Sequence, residues 1–448
     1  MVNLDFVLKI DEHWLNIKKW WENIKMSNEL FPKNFKKINK EQKDIFKIKF
    51  LYFIKKIFDI EDLTKIDKIN INNYDINKLI DNFKLNFDIF KTFLEDDNEF
   101  KNIICYILNF KDYFNLIKKK FAEIIEPLFN DLYFDKLFRC DNDLTRLFCP
   151  IGAQLIYSYM ITRDVEKTIN LCLNYDNISV HFFVISYLIL DNFMDDEKYY
   201  NENKIIFFKW FMNIVNNPEK EIIINDIEGE IWQCIIFKKY FTLFREKYAV
   251  RENKLLYDFV KLMISTLKKT DIIQKNNDID ENIILECTFK KSYVTCFFIG
   301  LILIKDDLKK KNIDLLCKLV LLIQLYDDYF DIDKDVLENN YTYLNSHCLN
   351  FDFNEKVKKI ILSSFLVMDD FNNDEKDKNV TKIFIYIVKY IFLFVTYIYI
   401  DKFDKNLINY FLDYSHYDYD ILNYFDRESY DPYNSKIILN IFKKYILS

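Results

Sequence analysis

Long apolar runs alternate along this chain with clusters of Asn, Asp and Lys. Five of the runs are too uniformly apolar for surface helices and predict inner helices of a bundle. These runs cover residues 155–161, 180–190, 205–215, 294–304 and 315–326. Before about residue 115 the runs are shorter and their pattern is that of modestly amphipathic helices. The pattern therefore predicts an all-α fold, with a helical N-terminal extension over 1–115 and a main helical domain over 116–448.

The composition supports the same fold class, because the 448 residues include only 3 Gly and 5 Pro. Hairpin turns favour Gly at positive φ, so a β-sandwich or barrel is excluded. Gly152, Gly229 and Gly300 lie far apart, which also excludes the clustered glycines of Rossmann and P-loop sites. The net charge of −7 and the absence of a basic stripe argue against a nucleic-acid partner.

Cysteine and histidine usage indicates neither a disulfide framework nor a zinc site. The nine cysteines include no CxxC pair, and several lie in apolar runs as reduced core thiols do, which predicts a reducing, cytoplasmic compartment. The four histidines are widely separated, so a zinc centre or a His-based triad is not favoured. The N-terminus lacks the features of a signal peptide.

One apolar segment, residues 383–400, has about the minimum length for a bilayer span. Lys389 stands in its middle, and a lysine at the bilayer centre costs roughly 2.5–3.5 kcal/mol. We therefore expect a buried helix and no stable membrane insertion.

Two acidic clusters follow two of the most apolar runs. Asp191, Asp195 and Asp196 come directly after the run 180–190, and Asp327, Asp331 and Asp335 come directly after the run 315–326. Residues i and i+4 share one helix face, so Asp191 pairs with Asp195, and the three residues of the second cluster form one row. Like charges at this spacing destabilise a helix unless a cation binds between them. Hard divalent cations such as Mg²⁺ prefer these oxygen ligands and share them with substrate phosphates.

A single acidic cluster is weak evidence, because three fixed acidic positions arise by chance about once or twice in a chain with this many acidic residues. The alternative for any one cluster is a solvated helix end, and Asp369–Asp374 is a cluster of that kind. The pair is more informative, because each cluster should lie at the rim of an apolar core.

At these residues the chain resembles the class I terpenoid synthases, the superfamily of trans-prenyl diphosphate synthases and terpene cyclases. The stretch 321–335 is very similar to the second aspartate-rich motif of the prenyltransferases, with Gln324 three residues before Asp327. The stretch 191–196 resembles the first aspartate-rich motif, with Asn192 in place of its second aspartate. Lys291-Ser292 resembles the Lys-Thr pair of the diphosphate-binding helix. The resemblance covers roughly residues 120–440 and implies a helical bundle around a central apolar cavity.

Departures from the prenyltransferase pattern favour a cyclase. The region that holds the second diphosphate retains Arg146 but lacks its glycines and lysine, and no arginine pair follows the first motif. A second diphosphate needs such charge-assisted donors. Near the C-terminus, Arg427 and Tyr430 resemble the diphosphate-binding Arg-Tyr element of terpene cyclases.

The resemblance implies a terpene synthase that ionises farnesyl diphosphate, a carbon–oxygen lyase giving a sesquiterpene. It implies about three Mg²⁺ ions, replaceable by Mn²⁺, on Asp191, Asp195 and Asp196 and on Asp327, Asp331 and Asp335, with Lys291, Gln324, Arg146, Arg427 and Tyr430 binding the substrate. The protein would be a monomer or a homodimer. The alternatives are a trans-prenyl diphosphate synthase, a non-catalytic subunit of that superfamily, and a helical scaffold or membrane-associated protein whose acidic clusters are solvated helix ends.

Overall fold

The computed structural model describes residues 5–26, 37–63, 69, 74–86, 88–89, 183–184, 186, 189–190, 201–224, 231–276, 278–304, 310–346, 351–372, 404–415 and 424. Over these residues the chain forms eleven α-helices, a short 3₁₀ helix at Asp5–Leu8 and no strand. The α-helices are α1 (Ile10–Glu22), α2 (Lys40–Phe58), α3 (Ile76–Leu85), α4 (Asn201–Asn216), α5 (Ile231–Lys247), α6 (Lys254–Gln274), α7 (Glu281–Ile304), α8 (Lys310–Phe330), α9 (Ile332–Leu337), α10 (Phe351–Asn372) and α11 (Lys405–Asp413). The predicted all-α class is confirmed.

The chain divides into two compact units. The first comprises residues 1–22 and 116–347, and contains α1 and α4 to α9. The second comprises residues 23–115 and 348–448, and contains α2, α3, α10 and α11. The sequence-based division into 1–115 and 116–448 stays a prediction, because most of residues 90–200 lie outside the described part of the chain.

Helix α7 is largely buried in the first unit, although Ile283 and Thr295 are exposed. It packs against α6, α8 and α1. Its buried side chains lie on every side of the helix, and they include Leu285, Phe289, Tyr293, Val294 and Phe298. The apolar run of α4 behaves differently, because Phe207 and Phe211 are buried while Ile205 and Ile206 are exposed. The expectation of an inner helix is therefore wrong for α4, which has a solvent face.

The N-terminal segment belongs to the core of the first unit. The indole of Trp14 on α1 packs on the ring of Phe289, with ring centroids 5.7 Å apart. The hydroxyl of Tyr293 donates a 2.8 Å hydrogen bond to the carbonyl of Val7 in the 3₁₀ helix. Lys290 forms an ion pair with Asp11. Apolar burial, a buried hydrogen bond and an ion pair thus hold this segment on α7.

The second unit illustrates how the chain ends helices with few glycines. Asn39 caps α2 in a capping box with Gln42, so both side chains satisfy free backbone amides at the helix start. At the other end Asp59 takes the left-handed conformation that glycine usually supplies, with φ 54°. The C-terminal part of α2 and the residues after it form a buried apolar cluster, which comprises Phe53, Ile54, Ile57, Phe58, Ile60, Leu63 and Ile69.

No helix within the described residues is long and apolar enough to cross a membrane. Residues 383–400 lie outside the described part of the chain, so the expectation for that segment stays a prediction. The described cysteines Cys234, Cys287, Cys296 and Cys317 are free thiols. Burial raises the pKa of Cys234 to about 12 and that of Cys287 to about 11, which keeps both thiols protonated.

Candidate functional site

The candidate site is the second acidic cluster, at the C-terminal end of α8. Helices α7 and α8 are antiparallel neighbours, so the early part of α7 faces the late part of α8. This arrangement brings Thr288 and Lys291, one turn apart on α7, to the acidic residues that end α8. A hydroxyl and an ammonium group therefore face the carboxylates from a separate helix.

The backbone continues from α8 into α9 with only a slight break at Asp331. The amide of Asp331 bonds to the carbonyl of Asp327 at 3.0 Å, and the amide of Asp335 bonds to the carbonyl of Asp331 at 2.8 Å. These are helical i to i−4 bonds, so the i, i+4, i+8 row predicted for Asp327, Asp331 and Asp335 is retained. The side chains differ in exposure, since Asp327 is exposed, Asp331 half-buried and Asp335 buried.

Asp328 is the most buried carboxylate of the cluster, with 5% of the residue exposed. It accepts hydrogen bonds from Gln324 Nε2 at 3.1 Å and from Thr288 Oγ1 at 3.4 Å. The pKa of Asp328 is raised to about 8, mainly by burial and also by the neighbouring Asp327, while Gln324 and Lys291 oppose the shift. The carboxyl group of Asp328 therefore lies in the protein interior, whereas that of the adjacent Asp327 is exposed.

Asp335 is also buried, with 7% exposed, and is covered by the turn that follows α9. Asn340 Nδ2 donates a hydrogen bond to Asp335 Oδ1 at 2.8 Å. The side-chain amide of Asn345 donates in turn to the backbone carbonyl of Asn340 at 2.8 Å. The pKa of Asp335 is raised to about 6, mainly by burial; the hydrogen bond from Asn340 opposes the shift, Asp331 adds to it, and Lys291 opposes it. The turn can form without glycine because Asn339 adopts a positive φ of 51°.

Gln324 and the three predicted aspartates of the second motif lie at the end of α8 and in the turn and short helix that follow it. Lys291 faces this cluster from α7. The amide of Gln324 donates to Asp327 Oδ2 at 2.8 Å. The other predicted site residues lie outside the described part of the chain, and their roles stay predictions: Asp191, Asp195, Asp196, Arg146, Arg427 and Tyr430.

Three residues of this site were not assigned by the sequence: Thr288, Asp328 and Asn340. Ser292 was compared with the threonine of a Lys-Thr pair, but its hydroxyl lies 3.7 Å from Cys296 Sγ on its own helix. The hydroxyl that reaches the acidic cluster belongs to Thr288, three residues before Lys291. Helical spacing would have placed Thr288 and Lys291 on one face, but only the packing of α7 on α8 shows which face meets the carboxylates.

Carboxylate oxygens are the ligand type that hard divalent cations such as Mg²⁺ prefer. Burial is the main cause of the raised pKa of Asp328 and of Asp335, and the neighbouring carboxylates Asp327 and Asp331 add to it. Within the described residues no three His, Cys, Asp or Glu side chains are grouped so that they could hold a metal ion. A metal bound here would therefore need rearranged carboxylates or further ligands, for which the first motif is the candidate.

The resemblance implies an apolar cavity, and its candidate wall residues are Phe182, Phe183, Tyr187, Phe297 and Phe298. Phe297 stacks on Tyr293 at a centroid distance of 4.1 Å, and Phe298 packs on Phe183 at 4.3 Å. All three phenylalanines are buried in ring-to-ring contacts. Their observed role is core packing, while Phe182 and Tyr187 lie outside the described residues.

The buried carboxyl of Asp328 predicts a pH-dependent stability. The pKa of Asp328 is about 8 in the folded state and has the ordinary value of 3.8 in the unfolded state. Between pH 3.8 and about pH 8 the folded state therefore keeps a proton that the unfolded state releases. This stabilisation is complete below pH 4 and is lost as the pH rises through 8, with a slope of up to about 1.4 kcal/mol per pH unit. Asp328→Asn removes the titrating group and retains a similar shape. Urea unfolding from pH 5 to 8.5 should show that the wild type loses stability relative to this variant as the pH rises.

The matched control for this measurement is Asp314→Asn, which removes an exposed carboxylate from the same helix. Its stability should follow the wild type at every pH. Parallel curves for the wild type and Asp328→Asn would contradict the assignment of the raised pKa to Asp328.

Comparison of the chain with protein-family models, with curated proteins and with solved structures finds no match.

Proposed function

We propose that this protein is a metal-dependent terpene synthase acting on a single acyclic prenyl diphosphate, with farnesyl diphosphate as the expected substrate. One observation carries the proposal: the acidic cluster at the end of α8 and in α9 includes the buried Asp328 and Asp335, and Lys291 approaches both from α7. A solvated helix end would expose these side chains. Burial of charged groups is costly, so such a cluster is more typical of a functional site.

In this proposal each residue has a defined task. Asp327, Asp331 and Asp335, with Asp191, Asp195 and Asp196 of the first motif, would hold Mg²⁺ or Mn²⁺. Bound Mg²⁺ would supply Lewis-acid stabilisation of the departing diphosphate. Lys291 would bind the diphosphate through its ammonium group, and Arg146, Arg427 and Tyr430 would contribute further donors. An apolar cavity within the bundle would shield the allylic cation from water. We place the protein in the cytoplasm, as a monomer or homodimer.

A second candidate function is that of a trans-prenyl diphosphate synthase. It is favoured by the 2.8 Å hydrogen bond from Gln324 to Asp327, because the glutamine three residues before the aspartate is part of the resemblance to those enzymes. The two functions share the metal site and differ in whether isopentenyl diphosphate binds as well.

Product analysis separates these functions. The purified protein with Mg²⁺ is given farnesyl diphosphate alone, and then farnesyl and isopentenyl diphosphates together. A volatile terpene from the first reaction, detected by gas chromatography and mass spectrometry, is expected. A longer prenyl diphosphate from the second reaction alone would support the synthase. Failure to bind Mg²⁺ and diphosphate would indicate a non-catalytic subunit and would contradict both enzymatic functions.

A further inference from the structure

Helix α2, in the second unit, has apolar residues on two opposite sides. Phe53 and Ile57 belong to the buried apolar cluster of this unit. On the other side of the helix, Ile45, Ile48 and Tyr52 are 49%, 71% and 51% exposed. Their spacing of three and then four residues places them in one row along the helix, roughly opposite the buried side. A surface helix ordinarily has polar residues on its outer side, so this row indicates a partner that covers it.

Residues of opposite charge stand at the two ends of this row. Glu41 lies one turn before Ile45, Lys56 lies one turn after Tyr52, and both are exposed. The ammonium group of Lys56 lies 5.6 Å from the centre of the Tyr52 ring, which places it directly at the end of the row. We call Glu41, Ile45, Ile48, Tyr52 and Lys56 the outer row of α2. It is about 22 Å long, at 1.5 Å per residue.

The outer row is complementary to a second copy of itself. When two α2 helices pack in antiparallel directions with Ile48 of both near the twofold axis, Glu41 of each copy lies opposite Lys56 of the partner subunit. A twofold interface uses the same patch on both copies, so this patch must be complementary to itself, as the outer row is. The two helix dipoles also run in opposite directions in this pairing. A partner of one charge sign, such as an anionic lipid surface, would match only one end of the row.

We propose that the protein forms a homodimer in which the outer rows of two α2 helices pack against each other in antiparallel directions. The inference is independent of the proposed enzymatic activity, because it uses only residues of α2. Of the two oligomeric states named above, it selects the homodimer and adds the interface. One helix from each copy makes a small interface, so we expect a weak dimer that dissociates on dilution.

Sedimentation velocity over a concentration series tests the proposal. The wild type should change from monomer to dimer as its concentration rises. Ile48→Ser removes the most exposed apolar side chain of the outer row and should raise the dimer Kd about tenfold or more. Because Ile48 contributes little to the core, the variant should fold normally, as its circular dichroism spectrum will show. The matched control is Leu85→Ser on α3, since Leu85 is 82% exposed in the same unit and lies off the outer row. This variant should dimerise as the wild type does.

Exchange of the end charges tests the antiparallel direction. Lys56→Glu places an acidic group opposite Glu41 of the partner subunit, and Glu41→Lys places two basic groups opposite each other, so each change alone should weaken the dimer. The double variant brings opposite charges together again and should dimerise within about threefold of the wild type. A wild type that stays monomeric throughout the series would overturn the proposal. A dimer that is unaffected by Ile48→Ser would also overturn it, as would a double variant that dimerises no better than the single variants.

Discussion

Replacing Asp327 by alanine is expected to lower turnover of a prenyl diphosphate by about 10²- to 10³-fold, equivalent to about 3–4 kcal/mol of transition-state stabilisation. Asp327 is exposed at the end of α8, where it accepts a hydrogen bond from Gln324, so its side chain contributes little to packing. Its removal takes one anionic oxygen ligand from the proposed cation site, while the fold is retained. The measurements are the rate of diphosphate release with farnesyl diphosphate and the circular dichroism spectrum of the variant.

Asp333→Asn is the control for this result. Asp333 is exposed, belongs to the same acidic segment and lies two residues from Asp331, off the row formed by Asp327, Asp331 and Asp335. The same change in charge at this position should leave turnover within about threefold, because surface charges are screened by solvent. Full activity in Asp327→Ala would remove the metal assignment from this residue. An equal loss in both variants would show that net charge, and not a specific ligand, matters.

Replacing Trp14 by alanine is expected to destabilise the protein by about 3–5 kcal/mol, the usual cost of truncating a large buried aromatic side chain. Trp14 is 5% exposed and its ring packs on Phe289, which is itself fully buried on α7. Truncation would leave a cavity between α1 and α7. The free energy of unfolding from urea titrations measures this effect.

Leu15 is the matched control, because it is the next residue on the same helix and is 57% exposed. Leu15→Ala should change the free energy of unfolding by less than about 0.5 kcal/mol, as surface substitutions generally do. A similar small change for Trp14→Ala would contradict the observed packing of α1 on α7. A large loss for Leu15→Ala would mean that the outer face of α1 is also covered.

The acidic site was only partly predictable from sequence. The row of Asp327, Asp331 and Asp335 follows from helical periodicity, which needs only the residue spacing. The importance of Asp328 does not, because in the sequence it is one of two adjacent aspartates and nothing local indicates which of them faces the interior. That difference depends on how α8 is rotated against α7, and the contact from Thr288 depends on it as well.

By itself the sequence determined the all-α class. Scarce glycine and proline exclude turn-rich folds, whereas a uniformly apolar run does not by itself establish an inner helix, since α4 has a solvent face. Only the tertiary structure decided that α1 belongs to the core of the first unit and that Thr288 and Asn340 join the acidic cluster. The physical reason is that helical periodicity shows which residues share a face of a helix but not which other helix packs against that face. The packing partner depends on contacts between residues distant in sequence, and Trp14 and Phe289 are 275 positions apart.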